Sequence, residues 1–284
     1  VVTWTSDDTF VITDTEYVCR PLADRFPSTA DRLCLVKDRW QVDWYEQLLR
    51  DLAPQRMIEI GMWDGASLAL CAEVAHPCAL VGIDSRATPN GALDEFIARR
   101  GLRASVRPYY GVDQSDGPRL DEIVETEFGD EPLDLVVDDA SHLLGPTRTA
   151  FNRLYPRLRP GGTYVIEDWP MHQLKKVETS LTLLIFEAIL ACAESPSTIA
   201  LVTVNRGYTL VTRGDRQLTP GSFDLSDCLG TRARSLIERR TTAAGLQAST
   251  RAAEARRPGE TAAVRWHAVP AARGAARRVS ASDE

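Results

Sequence analysis

Between Arg56 and Arg213, short apolar runs alternate with longer amphipathic stretches, and this alternation constrains the fold more than any other feature of the chain. It is the pattern of βαβ units laid on a parallel sheet. RMIEI, ALVGID, ASVRPYY, LDLVVDD and TYVIED supply five strands. Helices are expected between them at 66–74, 93–100, 118–128 and 146–158, the last stopped by Arg159-Pro160-Gly161-Gly162. A long helix at 176–193 follows, then STIALVTV and YTLVTR, joined by Asn205-Arg206-Gly207. So short a glycine-containing link predicts an antiparallel hairpin. A sheet of this kind places its ligand at the carboxyl ends of its strands.

The flanks read differently. Residues 1–55 contain one clear helix, 37–51, in which Trp40, Trp44 and Leu48 recur at i, i+4 and i+8 and predict an apolar stripe; this segment is expected to be helical and to pack as a lid. From Thr231 to Glu284 the chain is rich in Ala and Arg, with few large apolar side chains to offset ordering entropy, so a mostly disordered tail, with an isolated helix at most, is expected. That leaves 56–230 as the catalytic-type domain.

Charge narrows the partners. The chain holds 33 basic and 40 acidic residues, of which 11 and 5 fall from Thr231 on, so the first 230 residues carry a net charge of about −13. Such a body repels a phosphate backbone and attracts cations, which argues against nucleic acid as a partner. The most apolar run, 181–193, is too short for a membrane span and contains Glu187. Six cysteines without a CxxC pair, and a first segment lacking signal-peptide character, predict reduced thiols in a cytoplasmic protein.

The first strand runs into EIGMWDGAS, with Gly61 and Gly65 where the chain must turn sharply into a helix whose N-terminus favours an anionic group. A dinucleotide would want glycine at 61, 63 and 66, but this chain has Gly61, Trp63 and Ala66, which disfavours a pyrophosphate and with it an NAD-dependent enzyme. S-adenosylmethionine carries a carboxylate and no phosphate, so it fits this turn better, with Glu59 available for its ammonium. Asp84, 23 residues after Gly61, ends the second strand where a carboxylate can accept from ribose hydroxyls. Asp113 and Gln114 follow the third strand, within reach of adenine or ribose.

Two acidic strand ends carry the strongest signal: VVDDASH at 136–142 and VIEDW at 165–169. If their strands are neighbours, about 4.8 Å apart, then Asp139, Glu167 and Asp168 crowd around one point. Like charges so close need a cation, and an all-oxygen set suits Mg²⁺, with Mn²⁺ or Ca²⁺ as substitutes. His142, three residues after Asp139, carries a side chain suited to accepting a hydroxyl proton near neutral pH. Taken singly, each of these residues is better explained by turn capping or an ordinary loop position; the pair of strand ends is what reverses this and favours a site. No GxSxG elbow and no Walker A loop is present.

Together, EIGMWDGAS, GVDQSD, VVDDASH, LRPGGTYVIEDW and the 28-residue spacing from Asp139 to Glu167 resemble the metal-dependent sugar O-methyltransferases of the macrocin and mycinamicin family over 56–213. The resemblance implies a Rossmann-like class I methyltransferase: an α/β, doubly wound, mostly parallel seven-stranded sheet ending in an antiparallel hairpin. It implies S-adenosylmethionine bound by Glu59, Gly61, Gly65, Ser67, Asp84, Asp113, Gln114 and Asp138, and Mg²⁺ held by Asp139, Glu167 and Asp168, with His142 as catalytic base. The acceptor would be a hydroxyl of a glycoside or nucleotide sugar in antibiotic biosynthesis. Ala140 stands where the family often has glycine. Residues 1–55 and the tail match nothing in the family, and the sequence allows a homo-oligomer. Two rivals share parts of this pattern: a cephalosporin-hydroxylase-like protein acting on a non-sugar acceptor, and a cofactor-binding accessory protein without turnover.

Overall fold

The structure, a computed structural model, describes residues 1–170 and 181–241, with side chains described to residue 237. The central element is a seven-stranded sheet. Its strands are β5 (Arg56–Ile60), β6 (Ala79–Asp84), β7 (Val106–Tyr110), β8 (Leu133–Asp138), β9 (Leu158–Glu167), β10 (Ile199–Val204) and β11 (Tyr208–Arg213). They lie in the order β10-β11-β9-β8-β5-β6-β7. β5 to β9 pair in parallel, and β11 enters antiparallel between β9 and β10. This is the expected doubly wound, mostly parallel seven-stranded sheet with an antiparallel hairpin at one edge.

Alternation along each strand explains why both faces are buried. On β5, Met57 faces one core with Leu80, Leu135 and Val165, while Ile58 and Ile60 face the other with Val81, Val136 and Ile166. The first core is closed by α1 (Arg39–Leu52), α2 (Ala66–Ala75) and α3 (Gly91–Arg99). The second is closed by α4 (Gly117–Phe128), α5 (Leu144–Leu154) and α6 (Leu181–Glu194). Fully burying one such aliphatic side chain contributes roughly 1.5–3 kcal/mol, so each face is a substantial share of the stability.

Several expectations need correction. Residues 1–55 hold four short strands besides the helix: β1 (Thr3–Trp4), β2 (Thr9–Ile12), β3 (Thr15–Cys19) and β4 (Arg32–Leu35), a separate sheet in that order. The helix itself buries Val42, Tyr45 and Leu49, while Trp40, Trp44 and Leu48 pack at the edge of the core, so the buried seam is rotated from the expected stripe. α1 begins with a capping box between Asp38 and Gln41. α5 ends at Leu154, earlier than expected, because the chain tightens into a 3-10 turn at Tyr155–Arg157 and β9 starts at Leu158. The tail does open with a helix, α7 (Thr231–Thr241), but it is not isolated, since its Ala233 is buried in the second core. Residues 242–284, the remainder of that tail, lie outside the described residues, as do 171–180, where the long helix was expected to begin. Among the described residues no helix is long and apolar enough to cross a membrane.

Candidate active site

β5 lies between β8 and β6, so the connections leave it on opposite sides and a crevice opens at its carboxyl end. A cavity of about 360 Å³ fills this crevice. Ile60, Ile83 and Val112 give it an apolar floor, and Asp84, Asp113 and Gln114 supply polar groups. A second space of about 50 Å³, lined by Leu35, Val36, Lys37, Ala66 and Ser67, shares Gly61, Trp63 and Asp139 with the first.

The turn after β5 explains the glycines. Gly61 has φ +90°, and a Cβ there would overlap the carbonyl of Asp139 and the Cα of Ala140. Gly65 has φ +81°, and its missing side chain leaves room for Leu93. Glu59 is buried, with one carboxylate oxygen, Oε2, that has no hydrogen-bond partner among the described residues. Burial pushes its carboxyl up to about 7, against the opposing effect of the Ser67 hydroxyl bonded to it.

Asp84 ends β6 and lines the cavity, where it accepts from the backbone N–H groups of Trp63 and Arg86, each at 2.8 Å, and from Arg86 Nε at 3.2 Å. Asp113 is exposed and accepts from the backbone and hydroxyl of Ser115, which hold its carboxyl below the usual range. Gln114 borders the cavity but its amide is committed: Nε2 donates to Asp138 at 2.6 Å and Oε1 accepts from the Ser141 hydroxyl at 2.6 Å. Asp138 departs from expectation. It is buried, does not line the cavity, and accepts from Tyr164 at 2.7 Å as well as from Gln114. It is a brace between β8, β9 and the loop before α4, and burial raises its pKa to about 7 despite those donors.

The two acidic strand ends do meet, because β8 pairs with β9 in parallel with Asp138 opposite Ile166. Ligand atoms of Asp139, His142 and Asp168 lie within 4.8 Å of one another. Backbone bonds fix them: Asp139 N–H donates to Ile60 at 2.8 Å and Asp168 N–H to Gly207 at 2.8 Å. Trp63, His142 and Asp168, on three different loops around the site, all adopt left-handed backbone, with φ of 47°, 54° and 49°. Such strain costs about 1–3 kcal/mol per residue and concentrates at functional sites. Burial raises the carboxyl of Asp168, and the nearby Asp139 adds to this.

Glu167, the third expected ligand, is joined to Asp139 through a buried lysine. Its side chain is 1% exposed, both its oxygens accept from Lys37 Nζ, at 3.0 and 2.8 Å, and Oε1 also accepts from Tyr45 on α1. Lys37 also donates to Asp139 Oδ2 at 3.0 Å. Burial would strip the proton from this lysine, but Asp139 and Glu167 outweigh it and hold the amine charged. Sequence reasoning missed Lys37 and Tyr45. A lysine between a strand and a helix cap carries no periodic or motif signal, and the residues it meets are more than 100 positions away.

Residues 58–169 match the methyltransferase domain family. The chain carries a methyltransferase domain. Its sequence is 34% identical over 145 residues to the mycinamicin VI 2''-O-methyltransferase of Micromonospora griseorubida, and 30% identical over 145 residues to the demethylmacrocin O-methyltransferase of Streptomyces fradiae. Each match covers 46% of this chain and 33% of the relative, so the chain aligns with about a third of the length of these curated relatives. The fold is similar to the MycE methyltransferase of the mycinamycin biosynthetic pathway, solved with Mg, SAH and mycinamycin VI. That likeness has a TM-score of 0.51 at 28% identity and covers 64% of this chain and 52% of that one. The methyltransferase domain therefore contains the crevice and both acidic strand ends, whereas Lys37 and Tyr45 lie before it.

Proposed function

We propose that this protein transfers a methyl group from S-adenosylmethionine to a sugar hydroxyl of a glycosylated small molecule, in a reaction that depends on a divalent ion. The observation that carries this reading is the convergence of Asp139, His142 and Asp168 beside a cavity built at the end of β5. Support comes from the relatives, which are named for methylating mycinamicin and macrocin compounds, and from the Mg and SAH in the similar structure.

The cavity suits an adenosine: apolar side chains flank a flat base, and Asp84 stands where ribose hydroxyls would reach it. The smaller space beside Ser67, in front of Glu59, suits an amino-acid tail with an ammonium. For a hard ion, oxygen ligands 2.0–2.6 Å away stand roughly 3–5 Å from one another, so ligand atoms within 4.8 Å fit. Asp139 and Asp168 would hold it, with Glu167, which shares Lys37 with Asp139, as the third carboxylate. When bound, the ion would lower the pKa of an acceptor hydroxyl and fix its direction. His142 would take the proton, and the ends of β8 and β9 carry the two aspartates beside it. Acceptor alignment and base are then all the chain must supply, because the sulfonium is already a strong donor.

The non-sugar acceptor and the accessory-protein readings have no specific observation in their favour. Methyl transfer from labelled S-adenosylmethionine to rhamnosyl, olivosyl and macrolide glycosides, and to nucleotide sugars, with and without EDTA, tests the reading. EDTA-sensitive product on a glycoside is expected. Absence of product on every glycoside, or full activity in EDTA, would overturn it.

A further inference from the structure

The hairpin loop between β10 and β11 stands at the carboxyl end of β9, beside the acidic cluster. β11 runs antiparallel to β9 with Tyr208 opposite Glu167, so Asn205, Arg206 and Gly207 meet the chain just past that strand end. Gly207 O accepts from the Asp168 N–H and Asn205 O from Trp169 Nε1, both at 2.8 Å. Arg206, between them, is exposed, and its guanidinium lies over the Trp40 ring, 3.9 Å from the centroid. Trp40 is itself fixed: its ring fills the space a Cβ on Gly207 would take, tilts against Tyr208 at 5.5 Å, and donates through Nε1 to Asp38 at 3.3 Å. Among the described residues Arg206 has no ion pair and no side-chain hydrogen bond. A guanidinium held flat on an indole keeps its in-plane N–H groups free and loses little freedom when it binds. The cofactor cavity takes its lining from the turns after β5, β6, β7 and β8 and nothing from the hairpin, so the side of Asp139 toward β9 and β11 is left for the acceptor.

We propose that Arg206 is an acceptor-binding residue, whose guanidinium donates two parallel N–H bonds to a pair of neighbouring oxygens on the acceptor while the hydroxyl to be methylated lies at Asp139, His142 and Asp168. The proposal rests on the sugar-hydroxyl reading above and adds two residues, Arg206 and Trp40, that lie outside the stretch matching the methyltransferase family. A planar fork of donors matches two adjacent oxygens. Such a pair has two sources: vicinal hydroxyls on the sugar of a glycoside, or the diphosphate of a nucleotide sugar. The first contact is between a cation and a neutral group and changes little with salt, whereas the second is an exposed ion pair that salt screens. Trp40 carries the guanidinium and sets its plane. A stack that served only to fasten the hairpin to α1 would contribute to stability and leave acceptor affinity unchanged.

The test uses the full chain as wild type, Arg206→Met and Arg206→Lys, with the glycosides and nucleotide sugars named above as acceptors. It measures kcat and KM, acceptor affinity by calorimetry with S-adenosylhomocysteine and MgCl₂ present, S-adenosylmethionine affinity, and urea unfolding. Arg206→Met is expected to raise KM and the calorimetric Kd for the acceptor by about tenfold or more, with kcat within about twofold of wild type. Its S-adenosylmethionine affinity and urea midpoint should match wild type, because the side chain is exposed and the cofactor cavity does not include it. Arg206→Lys keeps the charge and loses the fork, so it should recover little of the affinity for a diol and most of it for a diphosphate. Repeating the titrations at about 50 and about 500 mM NaCl separates the same two sources, since only the diphosphate contact weakens with salt. The proposal is overturned if Arg206→Met leaves KM and Kd unchanged for every acceptor that wild type methylates, or if its loss of acceptor affinity comes with an equal loss of cofactor affinity or a lower urea midpoint. Those outcomes leave the sugar-hydroxyl reading standing. A wild-type chain that methylates none of the acceptors overturns that reading, and this proposal with it.

Discussion

His142 Nε2 stands 3.8 Å from Asp139 Oδ1. That is within reach of a shared charge and beyond a hydrogen bond, so the imidazole is held near the carboxylate without being consumed by it. A group between the two, such as an acceptor hydroxyl, can meet both.

This geometry separates two variants. Asp139→Ala removes the side chain that faces both Lys37 and His142, so Mg²⁺-dependent methyl transfer should disappear while S-adenosylmethionine still binds. His142→Ala should leave binding of acceptor and ion near wild type and slow the single-turnover rate by about 10²–10⁴-fold, the usual contribution of a general base. Rapid-quench kinetics with each variant checks both; an unchanged single-turnover rate would remove His142 as the base.

Gly61→Ala acts through the backbone. Its Cβ would press on the carbonyl of Asp139 from a conformation with φ +90° that alanine resists. Either the β5 turn or the Asp139 loop must move. A loss of roughly 2–4 kcal/mol in urea unfolding is expected, together with loss of S-adenosylmethionine binding by calorimetry.

Asp138 and Gln114 test whether a residue braces the pocket or contacts the cofactor. Tyr164→Phe leaves Asp138 short of one donor that does not line the cavity, so stability should fall by about 1–3 kcal/mol with cofactor affinity unchanged. Gln114→Ala removes the second donor to Asp138 and also frees Ser141, which lines the cavity, so both stability and affinity should fall. Equal effects of the two substitutions on affinity would contradict this division.

The parts of this arrangement that were legible in the sequence are those that follow from local pattern. The parallel strands announce themselves as apolar runs because both sheet faces are buried, and Asn205 and Gly207 mark the hairpin because the Asn205 side chain caps it, accepting from the Gly207 and Tyr208 N–H groups. Asp139 and Asp168 could be placed together because parallel pairing of β8 with β9 aligns their ends. What could not be read were side-chain directions set from elsewhere in the chain. Glu167 is the last residue of β9, and its oxygens meet Lys37 and Tyr45, residues more than 100 positions away in the chain. The four N-terminal strands escaped for another reason: runs as short as Thr9–Ile12 have too few residues to show a period.

Glu59 gives a pH dependence whose sign can be worked out. Burial holds its carboxyl at about 7 in the folded chain, above an ordinary value near 4.5, so between those pH values the folded chain binds more protons than the unfolded one. Stability from this group is therefore full at acid pH, falls as pH rises from about 4.5 to about 7, and levels off above that, a change of up to about 3 kcal/mol. Glu59→Gln should flatten that part of the profile in urea titrations. If the carboxylate pairs with the ammonium of S-adenosylmethionine, binding favours the ionised form, so affinity should rise from pH 6 to pH 8 and binding near pH 6.5 should release up to one proton. Calorimetry in two buffers of different ionisation heat measures that proton directly, and in Glu59→Gln it should vanish. Proton release that persists in the variant would place the titrating group elsewhere.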